Sequence, residues 1–220
     1  MFRTFNIFND HDKLTRTEEV NMLPDSFAAL VIGKPGSGKS SLIQRLLSMR
    51  EGFLKKFDLV LFMSPYEIGT LKIPENRKSD TLNIDFVYNT IEHEQQYRHV
   101  DNCLVIIDDL VSHVNKDANN PQLIDLIYNR RKIVKGCEIS LLFTTQKYTL
   151  FPARFRSTLQ FIIAFALPPD DWKILSQQQI FHPLPHLKSV LDAHFRSYKH
   201  NFIYLRLDHY GLFLNFEKQL

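Results

Sequence analysis

Cysteine is nearly absent from this chain. Among its 220 residues only Cys103 and Cys137 occur. Both lie in apolar surroundings, and they do not have the C-x-x-C spacing of a metal or redox pair. Two cysteines of this kind are typical of reduced, structural thiols in a compartment like the cytosol.

Long apolar runs are missing as well. The longest one, residues 161–167, is far shorter than the roughly 20 residues that a membrane-spanning helix needs. The N-terminal stretch MFRTFNIFNDHD lacks the cationic head and following apolar block of a secretory signal. We therefore expect a protein that is neither secreted nor inserted in a membrane.

Charge of one sign is not in strong excess. The net charge of +3 is too small to indicate a nucleic-acid partner by itself. Its distribution is uneven, because only one acidic residue, Glu138, accompanies seven basic residues between Tyr128 and Thr158. The basic residues are Arg130, Arg131, Lys132, Lys135, Lys147, Arg154 and Arg156. Such a segment attracts a triphosphate or a nucleic-acid backbone, although an ordinary solvated basic surface has the same composition.

The size and apolar content of the chain suit one large α/β domain. Apolar residues make up 44% of the 25.9 kDa chain, which is enough for a single buried core. Runs of strand length alternate with stretches of helical period, as in a mostly parallel sheet covered by helices. The pattern predicts an N-terminal extension over residues 1–25, a core over 26–167, and C-terminal helices with a hairpin over 168–220.

Six apolar runs predict strands. They are FAALVIG ending at Gly33, residues 58–64, IDFVYN around Phe86 to Tyr88, and residues 103–110, 139–146 and 159–167. The spacing of apolar residues predicts helices over about 42–49, 123–133, 172–179 and 187–195, with Pro121 near the first turn of the second. Apolar runs on both sides of residues 208–211 predict a hairpin.

The first strand leads into VIGKPGSGKSSL, which satisfies every position of the phosphate-binding pattern G-x-x-x-x-G-K-[ST]. Its glycines let the backbone wrap closely around a phosphate, and the following helix adds the partial positive charge of its N-terminus. We expect Lys39 to reach the β- and γ-phosphates and Ser40 to offer its hydroxyl to Mg²⁺. The expected nucleotide contacts are Gly33, Lys34, Pro35, Gly36, Ser37, Gly38, Lys39, Ser40 and Ser41.

A pair of carboxylates follows the apolar run that begins at Cys103. Asp108 and Asp109 end a buried strand, and a strand end can hold a carboxylate rigidly beside a metal ion. We expect Asp108 to bind Mg²⁺ through water. If Asp109 points at the γ-phosphate, it can orient and deprotonate a water molecule, which would make the protein a hydrolase. The alternative is that Asp109 caps the following turn.

An amide and a set of arginines complete the candidate site. Gln146 closes the next strand, where it can donate to a γ-phosphate oxygen and accept from the attacking water. The charge that develops on the transferred phosphoryl group needs a further cation, and an arginine from a neighbouring subunit commonly supplies it. Arg156 is the favoured candidate, and the others are Arg154, Arg130 and Arg131.

Two weaker signals favour structural roles. His182 and His186 are four residues apart, but the prolines of HPLPH prevent a helix from presenting them as a metal pair, so a loop is favoured. Trp172 is the only tryptophan and can stack on a base, although a packed core position is favoured.

Three segments together resemble a known family. GKPGSGKSSL, CLVIIDDL and ISLLFTTQKYTLFPARFRSTLQFIIAF are similar to motifs of the FtsK/HerA superfamily of P-loop ATPases. Within it, they resemble the genome-packaging ATPases of poxviruses, other large DNA viruses and virophages. The last segment is the most specific, because it joins a strand ending in Thr-Thr-Gln-Lys-Tyr to a proline turn and an arginine before another apolar strand. The resemblance covers residues 27 to 165.

The resemblance implies a RecA-like core in which the strand carrying Gln146 separates the P-loop strand from the strand carrying Asp108. It implies that Lys39 and Ser40 occupy the Walker A positions, Asp108 and Asp109 the Walker B positions, and Gln146 the sensor position. The second Walker B residue of the family is often Glu, so Asp109 has a shorter reach. It also implies ATP as fuel, a homo-oligomeric ring of five or six subunits, and double-stranded DNA moved into a capsid.

Further expectations follow from the same resemblance. A capsid vertex or another virion protein is the expected partner, and the host cytoplasm or a viral factory is the expected location, with association to the virion.

Two other functions also fit a phosphate-binding loop. A nucleoside or small-molecule kinase needs an acceptor pocket and an arginine-bearing lid in place of a water-activating carboxylate. A nucleotide-gated assembly protein would bind ATP and turn it over negligibly.

Overall fold

The fold is a single mixed sheet with helices packed on its faces. In the computed structural model, residues 23–24, 26–48, 56–66, 73–177, 187–208, 211–216 and 218–219 are described. These residues form nine strands: β1 Ala28–Ile32, β2 Leu59–Met63, β3 Lys78–Ser79, β4 Asn102–Ile107, β5 Glu138–Thr145, β6 Phe161–Phe165, β7 Phe202–Arg206, β8 Gly211–Leu214 and β9 Lys218–Gln219. The helices are α1 Lys39–Ser48, α2 Ile84–Gln95, α3 Val111–Lys116, α4 Pro121–Asn129, α5 Ala153–Arg156, α6 Pro169–Leu175 and α7 Leu187–Ser197.

The strand order across the sheet is β3-β2-β4-β5-β1-β6-β7-β8-β9. Strands β1 to β6 pair in parallel, and β7, β8 and β9 extend the same sheet in antiparallel fashion. Strand β5 therefore lies between β1, which precedes the phosphate-binding loop, and β4, which precedes the two aspartates. This order confirms the RecA-like arrangement that the sequence motifs imply.

The core divides into two hydrophobic layers because side chains of a strand alternate between the faces of the sheet. On β1, Ala28, Leu30 and Ile32 join the layer formed with helices α2 to α7, whereas Ala29 and Val31 join the opposite layer. Helix α1 contributes Ile43 and Leu46 to that second layer. Strands β1 and β4, which lead to the site, are thus buried on both faces, and their ends are held in place.

The predicted strand around Phe86 to Tyr88 is wrong. These residues lie in helix α2, which begins after Asn83, whose side-chain oxygen accepts a 2.9 Å hydrogen bond from the Phe86 N–H. Such a side-chain cap satisfies one of the free N–H groups at a helix start. Ile84, Val87 and Ile91 then form the buried face, so the apolar residues follow a helical period.

The remaining predicted elements are confirmed, with ends shifted by a few residues. Pro121 occupies the first turn of α4, and β7 and β8 form the predicted hairpin, in which Arg206 pairs with Gly211. The two cysteines are buried free thiols. No helix among the described ranges has both the length and the apolar character needed to cross a bilayer. The division of the chain at residues 25 and 167 stays a prediction, and the extension before residue 23 lies outside the described residues, as do His182 and His186.

Candidate functional site

The phosphate-binding loop, the two aspartates and Gln146 lie at the carboxyl edge of the parallel strands. Ile32 of β1 is in register with Thr145 of β5, and Ile107 of β4 is in register with Phe143. The residues that follow these strands therefore leave the sheet side by side. Ligands of open α/β sheets bind at this edge, beyond the strand ends.

The phosphate-binding loop connects β1 to α1 through a tight turn. The Ser37 N–H donates to the Lys34 carbonyl at 3.1 Å, and the Leu42 N–H donates to the Gly38 carbonyl at 2.8 Å as the helix begins. Gly36 and Gly38 have φ angles of 71° and 110°, which only glycine adopts without strain. Both glycines are therefore required by the turn itself.

The phosphate-binding loop contains a buried hydroxyl that is not hydrogen-bonded to any residue in the described part of the chain. Among the described residues, the buried Ser37 hydroxyl has no hydrogen-bond partner. Buried polar atoms are nearly always paired in folded proteins, so an orphan at this position fits a site that a phosphate oxygen would fill. Lys34, Pro35 and Gly36 are exposed at the tip, as is Ser41 on the first turn of α1.

Lys39 points back into the loop. Its side chain is largely buried, with 8% relative exposure of the residue, and its ammonium donates to the Gly33 carbonyl at 2.7 Å and to the Lys34 carbonyl at 3.5 Å. Both acceptors are neutral carbonyls, so neither of them neutralises the positive charge of Lys39. A bound triphosphate would neutralise that charge.

Asp108 is buried at the end of β4, with 5% relative exposure. Its Oδ1 accepts a 2.6 Å hydrogen bond from the Thr144 hydroxyl, and its Oδ2 lies 3.5 Å from the Ser64 hydroxyl. Burial raises the pKa of Asp108 above its usual range, and the negative charge of Asp109 adds to this, while the bond from Thr144 and the charge of Lys39 oppose it. The loop and the aspartates follow β1 and β4, which lie on either side of β5, so the two halves of the predicted site share one edge of the sheet.

Asp109 adopts a backbone conformation that is unusual for a residue other than glycine. Its φ is 53°, and its N–H donates to the Thr144 hydroxyl at 3.1 Å. Such conformations cluster at functional sites, although Asn215 and Phe216 after β8 also have positive φ values. Leu110 occupies the N-cap position of α3, and no side chain caps that helix, so the capping alternative for Asp109 gains no support.

Thr144 is a site residue that the sequence reasoning missed. It lies on β5, and its buried hydroxyl donates to Asp108 and accepts from the Asp109 backbone. One side chain therefore holds both aspartates. The signal in the sequence was a hydroxyl residue at the end of the apolar stretch of ISLLFTTQ, next to a strand that ends in carboxylates.

Gln146 is exposed directly after β5. The peptide that precedes it is tied to the phosphate-binding loop, because the Gly33 N–H donates to the Thr145 carbonyl at 3.1 Å. The Thr145 hydroxyl in turn donates to the Lys147 carbonyl at 3.1 Å, which shapes the turn that carries Gln146. The Gln146 side chain is therefore attached at the end of β5, the strand between the loop and the aspartates.

The two arginines of α5 bind their own chain. Arg156 donates from Nε and Nη2 to the Phe151 carbonyl at 3.2 and 3.0 Å, and from Nη2 to the Tyr148 carbonyl at 3.4 Å. Its guanidinium also lies 4.5 Å from the centre of the Tyr148 ring. Arg154 donates to the Ala118 carbonyl at 2.8 Å. A role for either arginine in a neighbouring site would require these bonds to be released.

The other two candidate arginines, Arg130 and Arg131, lie at the opposite edge of the sheet. Arg130 follows α4 and donates to Gln160 Oε1 at 2.8 Å, beside the start of β6, while Arg131 donates to the Ser26 carbonyl at 3.3 Å, before β1. Burial, with a smaller effect of the Arg131 charge, lowers the pKa of Arg130 to about 10. The basic segment is therefore not one surface, because Lys147 lies at the carboxyl edge and Arg130 at the amino edge.

The donor set at the carboxyl edge suits Mg²⁺ held partly by water and phosphate. No group of three or more His, Cys, Asp or Glu side chains in the described parts of the chain could hold a metal ion alone. Asp108 is instead a buried carboxylate whose hydrogen-bond partners are neutral hydroxyls and whose neighbour Asp109 repels it. A divalent cation would relieve that repulsion, and Ser40 on α1 is the matching hydroxyl of the motif.

Comparisons with known proteins agree with this geometry at the level of the fold. By sequence, the chain matches no protein-family model and no curated protein. By structure, it is similar to the genome-packaging NTPase B204 of Sulfolobus turreted icosahedral virus 2, solved in complex with AMPPCP, with a TM-score of 0.61 and 14% identity over 87% of this chain and 98% of that chain.

Two further structures of B204 give the same result. The complex with ATP-gammaS from the same virus has a TM-score of 0.61 and 13% identity, over 87% of this chain and 97% of that one. B204 of Sulfolobus Turreted Icosahedral Virus, described as its DNA-packaging ATPase, has a TM-score of 0.59 and 14% identity over the same shares, 87% and 97%. The chain therefore has the RecA-like fold of P-loop ATPases, as the motifs and the strand order indicate.

Proposed function

We propose that this chain is an ATP-hydrolysing motor that packages double-stranded viral DNA into a preformed capsid. The observation that carries the proposal is that the Thr144 hydroxyl binds both the carboxylate of Asp108 and the backbone of Asp109. These residues lie beside a phosphate-binding loop whose lysine folds back onto the Gly33 carbonyl. Storage of a nucleotide needs the loop alone. A second, strained carboxylate next to the metal-binding one is useful when water must be activated.

The proposed chemistry assigns one task to each group. Loop amides and Lys39 hold the β- and γ-phosphates of ATP, and Ser40 and Asp108 hold Mg²⁺, which when bound neutralises phosphate charge. Asp109 accepts a proton from a water molecule while Gln146 orients that water. The water oxygen forms a bond to the γ-phosphorus as the bond to the β–γ bridging oxygen breaks, which releases ADP and phosphate.

The proposed assembly is a homo-oligomeric ring of five or six subunits. We propose Arg156 as the cation that acts in a neighbouring subunit, where such an arginine is worth roughly 10³–10⁵ in rate. Double-stranded DNA and a capsid vertex protein are the proposed partners, in the host cytoplasm or a viral factory or with the virion. The likeness of the fold to a viral genome-packaging NTPase supports this part of the proposal.

The rate of phosphate release with and without double-stranded DNA tests the proposal. A motor is expected to hydrolyse Mg-ATP and to turn over faster when DNA is added. Turnover that ignores DNA would count against translocation. Labelled phosphate on an added nucleoside would establish the kinase alternative, and tight ATP binding with negligible release would establish the assembly alternative.

A further inference from the structure

The C-terminal part of the chain reaches the phosphate-binding loop. Strand β7 runs antiparallel to β6, and Phe202 at its start pairs with Phe165 at the end of β6. The turn formed by Tyr198, Lys199, His200 and Asn201, here called the 198–201 turn, precedes β7. It therefore lies at the same edge of the sheet as the loop, on the side away from Asp108 and Asp109.

His200 binds the loop directly. Its Nδ1 lies 2.8 Å from the Ser37 carbonyl, and because a carbonyl can only accept, Nδ1 must carry the proton. The peptide between Ser37 and Gly38 is planar and trans, so its C=O and N–H point in opposite directions. By holding the carbonyl outward, His200 turns the Gly38 N–H toward the inside of the loop, where a phosphate would lie.

The contact between His200 and the loop is close. A Cβ atom at Gly38 would lie 3.0 Å from His200 Nδ1, which is tighter than ordinary packing allows. Glycine at position 38 is therefore required for two reasons, its φ of 110° and the approach of His200.

The 198–201 turn is held firmly by Asn201. The Asn201 Nδ2 donates to the His194 carbonyl at 2.7 Å and to the Ser197 hydroxyl at 2.8 Å, and its Oδ1 accepts from Asn215 Nδ2 at 2.9 Å. These bonds tie the turn to α7 and to the end of β8. A turn fixed in this way keeps its side chains in place before a ligand binds, which favours affinity.

Tyr198 presents an aromatic side chain to solvent beside the loop. The residue is 61% exposed, and its ring stands edge-on to His200, with 5.3 Å between ring centres and an interplanar angle of 72°. A triphosphate whose γ end faces Asp109 and Gln146, across β5, must direct its nucleoside end to the other side of β1. That side carries β6, β7 and the 198–201 turn.

We propose that the 198–201 turn forms the part of the site that contacts the nucleoside. The Tyr198 ring stacks on the nucleobase, and His200 is a positioning residue that fixes the Ser37–Gly38 peptide for phosphate binding. Trp172, the other aromatic residue considered for stacking, is instead half-buried against the core. This inference rests on the proposed function only in requiring that the loop bind a nucleoside triphosphate.

Binding of two probes in the presence of Mg²⁺ separates the two roles. ATP carries a base and inorganic tripolyphosphate does not, so loss of a stacking ring affects ATP alone. We expect Tyr198→Ala to weaken ATP binding about tenfold, as for other base–aromatic contacts, and to leave tripolyphosphate binding unchanged. Tyr198→Phe should retain ATP affinity. Tyr97→Ala removes a tyrosine that is 75% exposed elsewhere and serves as the matched control.

The positioning role of His200 makes a different prediction. His200→Ala should weaken ATP and tripolyphosphate by the same factor, because the peptide that it fixes binds phosphate. His200→Asn places an amide donor near the Nδ1 position and should restore most of the binding of both probes. Equal melting temperatures of the variants and the wild type show that the fold is intact.

Two results would overturn the inference. Equal loss of both probes in Tyr198→Ala excludes stacking on the base, and unchanged binding of both probes in His200→Ala excludes the positioning role. A wild-type protein that binds neither probe would overturn the proposed function as well. If the wild type binds both probes and the variants bind them with the same affinity, this inference alone is overturned.

Discussion

The Thr144 hydroxyl donates a 2.6 Å hydrogen bond to Asp108, and the same oxygen accepts a hydrogen bond from the Asp109 N–H at 3.1 Å. A side chain of β5 thus joins the carboxylate of Asp108 to the backbone of Asp109. It sets the orientation of the first aspartate and satisfies the strained backbone of the second.

Thr144→Val tests this relationship, because valine has nearly the same shape and no hydroxyl. We expect turnover of ATP to fall about 10- to 100-fold, since Asp108 loses a hydrogen bond to a charged group, worth roughly 1.5–3 kcal/mol, and Asp109 loses the same anchor. Thr144→Ser keeps the hydroxyl and should retain most of the activity. The measurement is the steady-state rate of phosphate release by the wild type and the two variants. A Thr144→Val rate equal to that of the wild type would contradict the role of the hydroxyl.

Asp108→Asn should stabilise the protein when neither Mg²⁺ nor nucleotide is present. Burial raises the pKa of Asp108, so the folded state favours the protonated carboxyl and is penalised once the carboxylate forms. Stability is therefore lost as the pH rises through the window between the ordinary carboxyl pKa and the raised one, and the penalty persists at neutral pH. The neutral amide avoids it while it still accepts from Thr144.

The measurement is the melting temperature of both proteins, with a chelator, from acid to neutral pH. At pH 7 the variant should melt a few degrees higher, since about 1 kcal/mol corresponds to roughly 2–4 °C for a chain of this size. The difference should vanish below a pH of about 3, where the carboxyl is protonated in both states. A variant that melts lower at pH 7 would show that the carboxylate stabilises the fold.

Arg156→Ala should abolish turnover and leave ATP binding intact if the guanidinium acts in a neighbouring subunit. A mixture with Lys39→Ala should then regain part of the activity, because an intact loop can meet an intact arginine at some subunit boundaries. The three hydrogen bonds to carbonyls of Phe151 and Tyr148 also predict a lower melting temperature. Loss of stability without any regain in the mixture would make Arg156 a structural residue of its own chain.

Apolar runs in the sequence predicted most of the sheet, because strands buried on both faces are continuously apolar, as in residues 103–107 and 161–165. The same reasoning was wrong near Phe86, where a short apolar run belongs to a capped amphipathic helix. Strand β3, with two residues, is too short to leave a pattern. Period alone does not separate a short strand from a helix segment.

The candidate site was predictable to the extent that its motifs are local. The loop around Lys39 and the pair at Asp108 are contiguous in sequence, and their meeting at one edge follows from parallel strands. Thr144 and His200 contribute through contacts over 36 and 163 residues of chain, which only the fold reveals. The hydrogen bonds of Arg156 to its own chain were likewise not visible in the sequence.

Single-turnover release of phosphate from Mg-ATP by Asp109→Asn tests the central claim most directly. Wild type and Asp192→Asn, which changes an exposed aspartate on α7, should release phosphate at the same rate. Asp109→Asn should bind ATP with wild-type affinity and release phosphate at least about 100-fold more slowly, because general-base catalysis contributes roughly 10²–10⁴ in rate. Release by Asp109→Asn at the wild-type rate would contradict the assignment of Asp109 as the residue that activates water.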